Sequence, residues 1–305
     1  MKSVACFDVG GTFIKCGVVD ERGEILLKSK IKTPKENCKD TIPKIMVEKI
    51  NEFSKKYQIK SVGISTAGKV DSEKGEIVFS SDNLPGYTGA KLSEKIKKQT
   101  GLDCFVENDV NAAALAESWM GAAKGLKTFF CLTLGTGVGG AIVINGELYK
   151  GVMGGSGEIG HMIINEQGES CSCGSKGCFE RYSATSALIR GYSRISGIPK
   201  EDITGREVFD RIMSCDKLAI KSYKEFLDHL VTGLVNITHI FDPGLIVVGG
   251  GISDQGEPFF KDLNELFKRR VMPSYGEYTR VVKAELGNDA GLLGACYVAI
   301  IESSK

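Results

Sequence analysis

The chain has 305 residues, 42% of them apolar and 25% charged, with a formal net charge of +1. That length fills one large or two moderate domains, and the balanced charge lacks the basic excess of polyanion binders, so no nucleic-acid partner is expected. No stretch reaches the length of an apolar membrane span, and the first residues lack the cationic and apolar regions of a signal peptide.

Apolar runs closed by glycines or charged turns predict strands at 4–10, 13–20 and 24–32. Ile42, Ile45, Met46, Ile50 and Phe53 recur at three- and four-residue spacing, which predicts an amphipathic helix over 40–57. A strand over 60–66, a helix over 89–99, a strand over 103–109 and a helix through NAAALAESWMG follow. At residue 129 the grammar restarts with FFCLTLG, GGAIVING and ELYKG, again read as strands. The stretches GVVDERGEI (17–25) and GAIVINGEL (140–148) share a skeleton of Gly, five residues, then Gly-Glu-aliphatic. Helical patterns fill much of 181–240, strands are predicted at 245–251 and 279–286, and a helix follows. Two α/β lobes from an internal duplication, with a cleft between them, are therefore expected. Residues 1–117 with about 290–305 would form a small lobe, and 118–289 a large one.

Two turns are glycine-rich, DVGGT (8–12) and GTGVGG (135–140). Backbone N–H groups in such turns can converge on phosphate oxygens, because no β-carbon blocks the approach. Gly10, Gly11 and Thr12 are the candidates in the first turn, and Gly135, Thr136 and Gly137 in the second. The second turn fits G-x-G-x-x-G, but a dinucleotide site needs a helix next and AIVINGEL reads as a strand, so that reading is rejected. The plain alternative is that these glycines only make hairpins. Asp8 sets a carboxylate beside the first turn, suited to holding Mg²⁺ through water. A third cluster, VVGGG (247–251), ends a buried strand, where α/β proteins commonly receive ligands.

Ten cysteines without a secretory signal point to a reducing compartment. Seven are scattered and read as packing residues; Cys171, Cys173 and Cys178 cluster in CSCGSKGCFE, directly before Phe179 and Glu180. A redox pair, a disulfide and a metal clamp are the alternatives. The odd count and the lack of C-x-x-C weigh against the first two. His161, ten residues upstream, would complete a closed tetrahedral zinc site.

Taken together, FDVGGT, END (107–109), GTGVGG, GEIGH (157–161), CSCGSKGCFE and VVGGG resemble the ROK family, in order and over nearly the whole chain. The family name joins repressor, open reading frame and kinase. The resemblance implies an actin-like ATPase fold (ribonuclease H-like, hexokinase-type). It also implies a cytoplasmic kinase that passes the γ-phosphate of ATP, with Mg²⁺, to a hexose hydroxyl, generally the 6-hydroxyl. By motif position Asp109 would be the general base and Asn108 a sugar ligand. Glu158, His161 and Glu180 would hold further hydroxyls, and Gly68 of STAG and Asn83 would approach the sugar. Thr12, Thr136 and Gly137 would lie near the triphosphate, and Gly249 and Gly250 near the adenosine. The family also carries this His and Cys spacing around structural zinc, and its members are often dimers or tetramers. Glucose is the first substrate expected, since EIGH and CSCGSKGCFE look like the glucokinase members. N-acetylmannosamine, β-glucosides and fructose are the alternatives. The family's sugar-sensing repressors carry an N-terminal helix-turn-helix, for which the residues before DVGGT leave no room. A catalytically idle sugar binder is the remaining rival, and the intact Asp8, Asp109 and glycine turns argue against it.

The chemistry suits these roles. A sugar hydroxyl is a weak nucleophile at neutral pH, and a carboxylate that takes its proton typically contributes about 10²- to 10⁴-fold. Asp109 sits where a strand meets a helix, a position that also suits a helix N-cap.

Overall fold

Alternation along the first strand decides how the first half is layered. In β1 (Ser3–Val9), Ala5, Phe7 and Val9 join one buried cluster while Val4 and Cys6 join another. A strand buried on both faces needs helices on both sides. The computed structural model describes residues 3–304. Onward from β1 run β2 (Phe13–Asp20), β3 (Ile25–Lys32), α1 (Cys38–Ser54), β4 (Ile59–Thr66), β5 (Lys69–Asp71), β6 (Glu76–Phe79), α2 (Leu92–Thr100), β7 (Asp103–Asn108) and α3 (Asp109–Met120). Next come β8 (Phe129–Leu134), β9 (Val138–Ile144), β10 (Glu147–Leu148), α4 (Glu180–Ser183), α5 (Thr185–Ser196), α6 (Gly205–Met213) and α7 (Lys217–Phe241). Then β11 (Leu245–Gly249), α8 (Glu257–Arg270), α9 (Pro273–Gly276), β12 (Arg280–Lys283) and α10 (Ala290–Glu302) follow.

Two compact units result. One holds the residues up to Gly125, Leu148–Ser156 and those from Leu286; the other holds Leu126–Glu147 and Gly157–Glu285. Leu148–Ser156, which the sequence reading counted with the large lobe, is tied to the first unit by Lys150, whose Nζ lies 2.6 Å from Glu107 Oε2.

The first unit's main sheet runs β3-β2-β1-β4-β7, antiparallel through β2 and parallel from β1 to β7. Ile42, Met46, Ile50 and Phe53 of α1 and Leu92 and Ile96 of α2 cover the Phe7 face. Ala116 of α3 and Leu292, Ala295, Cys296 and Ala299 of α10 cover the Cys6 face. Close approach here depends on glycine. A β-carbon at Gly63 would lie 1.9 Å from the Ala295 carbonyl oxygen, and one at Gly294 2.0 Å from the Ala112 carbonyl oxygen. Strand register then lines up Lys15, Asp8, Ser65 and Glu107 as opposed residues across four strands. Opposed residues share a face, so a polar row crosses the sheet there. The hairpin β5-β6 was not foreseen, being two short strands without a readable alternation.

The second unit repeats the plan. Its sheet runs β10-β9-β8-β11-β12, antiparallel between β8 and β9 and parallel from β8 to β12. The rhyme seen in sequence is also a rhyme of backbone: Gly23 and Gly146, equivalent in the two matched stretches, both turn at φ 86°. Leu188, Tyr192, Leu230, Leu234, Phe260 and Leu263, from α5, α7 and α8, build its core with Leu132 and Val248 of the sheet. Among the described residues, no helix is long and apolar enough to cross a membrane.

Candidate active site and metal centre

In the first unit the site is organised by the β7–α3 junction. Asn108, not Asp109, is the N-cap of α3: its Oδ1 accepts from the N–H groups of Val110 (2.9 Å) and Asn111 (3.2 Å). Asp109 takes the first helical position, where its Oδ1 accepts from Val110 N–H (3.0 Å) and from Asn108 Nδ2 (2.9 Å). Asn108 Nδ2 also donates to the Gly68 carbonyl (3.0 Å), so the whole amide of Asn108 is engaged in holding the junction. Gly68 has φ 106°, and a β-carbon there would lie 2.6 Å from the Phe79 carbonyl oxygen. Gly68, Asn108 and Asp109 are thus one hydrogen-bonded assembly.

Burial, and then the charge of Asp8, push the Asp109 carboxyl from 3.8 up to about 6, against the helix N–H and Asn108 that favour its ionised form. That is where a general base acting near neutrality should sit. Asp8 itself is held from two sides. Lys15 Nζ donates to its Oδ2 (3.0 Å), and Ser65 Oγ donates to its Oδ1 (3.3 Å). A third neighbour is Gly291 at the start of α10, where a β-carbon would lie 2.4 Å from Asp8 Cγ. A single carboxylate in a polar row fits a Mg²⁺ ion that keeps most of its water.

The first glycine turn is closed by its own backbone. Gly10 N–H donates to the Phe13 carbonyl (3.1 Å), and Thr33 Oγ1 donates to the Gly10 carbonyl (2.7 Å). Asn83 lies against Gly11, where a β-carbon would come within 3.2 Å of Asn83 Cβ. Thr12 is exposed at the tip.

In the second unit the turn at Gly135–Gly137 is pinned to α5. Thr185 N–H donates to the Gly135 carbonyl (2.9 Å) and Ser186 Oγ to the Thr136 carbonyl (3.0 Å), leaving the Thr136 side chain exposed. GEIGH packs on β9 because Gly157 and Gly160 carry no side chain. Their β-carbons would lie 2.3 Å from the Gly140 carbonyl oxygen and 2.2 Å from the Val138 carbonyl oxygen. Glu158 and His161 are exposed as a result. Gly249 ends β11 and Gly250 follows at φ 85°, close enough to β8 that a β-carbon would meet the Leu134 backbone.

The three clustered thiols and His161 come together in the second unit. The ligand atoms of His161, Cys171, Cys173 and Cys178 all lie within 4.8 Å of one another, and none of the ten cysteines is in a disulfide. Cys173 Sγ is 3.6 Å from Cys178 Sγ, and Cys171 Sγ is 3.7 Å from His161 Nδ1. A tetrahedral Zn²⁺ with Zn–S bonds of about 2.3 Å requires sulfur separations of about 3.8 Å, so the four side chains fit that ion. Burial, then the neighbouring thiols, push Cys178 up to about 12, so three thiolates side by side would call for a cation among them. Glu180 bridges outward from this cluster. Its Oε1 accepts from the Cys171 thiol (3.2 Å), and its Oε2 is the atom that a β-carbon at Gly137 would meet at 2.9 Å. The thiol loop, Glu180 and the second glycine turn are therefore one packed unit.

Comparison with known proteins agrees with these motifs. The ROK family model matches residues 4–302. The chain belongs to the ROK family. A glucokinase of Thermotoga maritima is 36% identical over 303 residues, covering 95% of each chain. A β-glucoside kinase of Listeria monocytogenes is 33% identical over 305 residues, covering 99% of each. The crystal structure of a ROK glucokinase from Streptomyces griseus, in complex with glucose and AMPPNP, superposes with a TM-score of 0.85 at 33% identity, covering 98% of this chain and 99% of that one. The fold of this ROK protein is the actin-like ATPase fold, built from the two sheets described above.

Three residues that this geometry singles out were not picked from the sequence. Glu107 is buried and accepts from Ser72 Oγ (3.0 Å), Asn111 Nδ2 (3.0 Å) and Asn108 N–H (3.0 Å), besides its ion pair with Lys150. It was visible as the first letter of END. Lys15 was visible as a lone cation in a buried strand, and Gly291 carried no signal at all.

Proposed function

We propose that this sugar kinase transfers the γ-phosphate of ATP to the 6-hydroxyl of a hexose, with glucose the preferred acceptor and Asp109 the general base. One observation carries the reading: a carboxyl group raised to about 6 and fixed by both Asn108 and the start of α3. Asn108 and Gly68 orient it, and Asp8 makes its proton affinity suit the task. Glu158, His161, Glu180 and Asn83 would read the remaining hydroxyls, and Gly10, Gly11, Thr12, Gly135, Thr136, Gly137, Gly249 and Gly250 would receive the nucleotide. Asp8 would hold Mg²⁺, whose charge offsets that of the phosphates. His161, Cys171, Cys173 and Cys178 would hold Zn²⁺ as a structural ion, with no open position for chemistry. The metal then fixes Glu180, and recognition depends on it while phosphoryl transfer does not.

Glucose is favoured because relatives named glucokinase match over nearly the full chain. Ten cysteines, none of them in a disulfide, favour a cytoplasmic setting, and a homodimer or homotetramer belongs to the same reading. An ADP-release assay across glucose, mannose, N-acetylmannosamine, N-acetylglucosamine, fructose and cellobiose tests it. The highest kcat/KM should fall on glucose; preference for an amino sugar or a disaccharide overturns the substrate, and silence on every sugar overturns the activity.

A further inference from the structure

A cavity lined by residues of α4, α5 and α7 lies wholly within the second unit. Its volume is 420 Å³, within the range that holds a small metabolite. Arg181, Arg190, Arg194 and Lys200 line it, opposed by only Glu169 and Glu225. The helix makes the room. Arg190 and Arg194 stand one turn apart on α5, and the small residues Ala187 and Gly191 share their stripe. A β-carbon at Gly191 would lie 2.8 Å from Ser222 Oγ, so glycine there eases the close approach of α5 to α7.

The charges do not cancel. Arg181 and Arg190 both turn an Nη2 to the same atom, Glu169 Oε2, at 3.1 and 3.4 Å. One carboxylate oxygen thus serves two guanidinium groups. Arg190 Nη2 also donates to the Arg181 carbonyl (2.6 Å), but the Nε atoms of both arginines are buried without a hydrogen-bond partner among the described residues. Buried unmet donors are costly, and most so on a charged group. Burial, and then the neighbouring Arg181, draw Arg190 below the usual guanidinium range, as expected where cations outnumber anions. Arg194 reaches Glu225 at 3.2 Å from an exposed position, and Lys200, also lining the cavity, pairs with Glu201 at 3.8 Å. Tyr182 and His229 give the cavity an aromatic wall, their rings 4.8 Å apart. Burial lowers His229, so it contributes surface and not charge near neutrality.

A pure staple between the thiol loop and the helices would need only Arg181, Arg190 and Glu169. It leaves the volume and the two orphan Nε donors without a role. We infer that this cavity is a binding site for a small phosphorylated metabolite, with the phosphate on Arg190 and Arg194 and the carbon skeleton against Tyr182 and His229. Guanidinium pairs recognise phosphate through several charge-assisted bonds at once, and such a ligand would relieve the excess of positive charge.

Calorimetric titration with inorganic phosphate, on the full chain with an ATP analogue present throughout, tests the site. Arg190→Gln combined with Arg194→Gln should weaken phosphate binding by at least about tenfold, the loss of charge-assisted bonds. Glu225→Gln frees Arg194 and should tighten binding, a change that damage to the fold would not produce. Glucose 6-phosphate should bind more tightly than phosphate if the aromatic wall takes part, and Tyr182→Ala should remove that difference. Equal phosphate affinity in all variants, weaker binding in Glu225→Gln, or no binding by the unaltered protein overturns the site. Sugar phosphorylation measured on the same variants reports on the kinase reading independently.

Discussion

Replacing Asp109 by Asn separates catalysis from stability. The carboxyl group stands at about 6 in the fold against 3.8 in an unstructured chain. At about 1.36 kcal/mol per pH unit of difference, its ionised form costs the folded protein up to about 3 kcal/mol. Because the side chain is only half-buried, solvent screens part of that cost, leaving about 1 to 3 kcal/mol. The sign follows from a folded value raised above the unfolded one. Well below pH 3.8 the group is protonated in both states and costs nothing; the cost grows as pH rises from about 3 to about 6 and is complete above that. Asn keeps an oxygen for Val110 N–H and Asn108 Nδ2 and carries no charge. Asp109→Asn should therefore be more stable than the unaltered protein at pH 7.5, by about 1 to 3 kcal/mol in urea denaturation, and by a much smaller margin at pH 4. The same variant should lose about 10²- to 10⁴-fold or more in sugar-dependent ADP release. In the unaltered protein kcat/KM should fall as pH drops through about 6, where Asp109 takes up its proton. A stability gain that is identical at both pH values, or turnover close to normal, refutes the reasoning.

Lys15→Met strips Asp8 of its cation, so the acidic limb of the kcat/KM profile should move to higher pH; an unchanged profile would mean Asp8 and Asp109 are not coupled. Gly291→Ala drives a methyl group into the Asp8 carboxylate and should lower kcat and cost about 1–3 kcal/mol in denaturant, with Gly197→Ala, open on all sides but at φ 77°, as a comparison. Metal analysis should find one zinc per chain, and Cys173→Ser should raise KM for the sugar well before it alters KM for ATP. Gly137→Ala should likewise raise the sugar KM by displacing Glu180, a shift absent if Glu180 does not touch substrate.

How far the sequence could be read depended on what kind of signal each feature carried. The strands of both sheets were legible because glycines and charged turns bracket their apolar runs, and the duplication was legible because Gly17 with Gly23 recurs as Gly140 with Gly146. The thiol cluster was legible because metal ligation imposes residue type and spacing together. Glu107 was harder. Its partners Ser72, Asn111 and Lys150 come from a hairpin, a helix and a distant loop, and periodicity in β7 shows only that it faces away from Cys104 and Val106. The capping of α3 by Asn108 in place of Asp109 turns on one residue of register, which propensity cannot assign, since both types cap well. Gly291 and Gly63 were invisible for a different reason: what they permit is the approach of an element remote in sequence.

The interrupted course of the first unit bears on how the protein is made. Val4, Cys6 and Ala116 are translated early, yet the α10 residues that cover them lie beyond the about 160 residues separating Gly125 from Leu286. At about 5–20 residues per second of elongation that delay is on the order of ten to thirty seconds. Throughout it the Cys6 face of the nascent sheet has only α3 to cover it, and the second unit, which runs to Glu285, is itself still being made. A ribosome paused before Leu286 would thus hold a sticky half-built lobe, and chaperone occupancy in a ribosome-profiling experiment should peak over that interval and drop once α10 emerges.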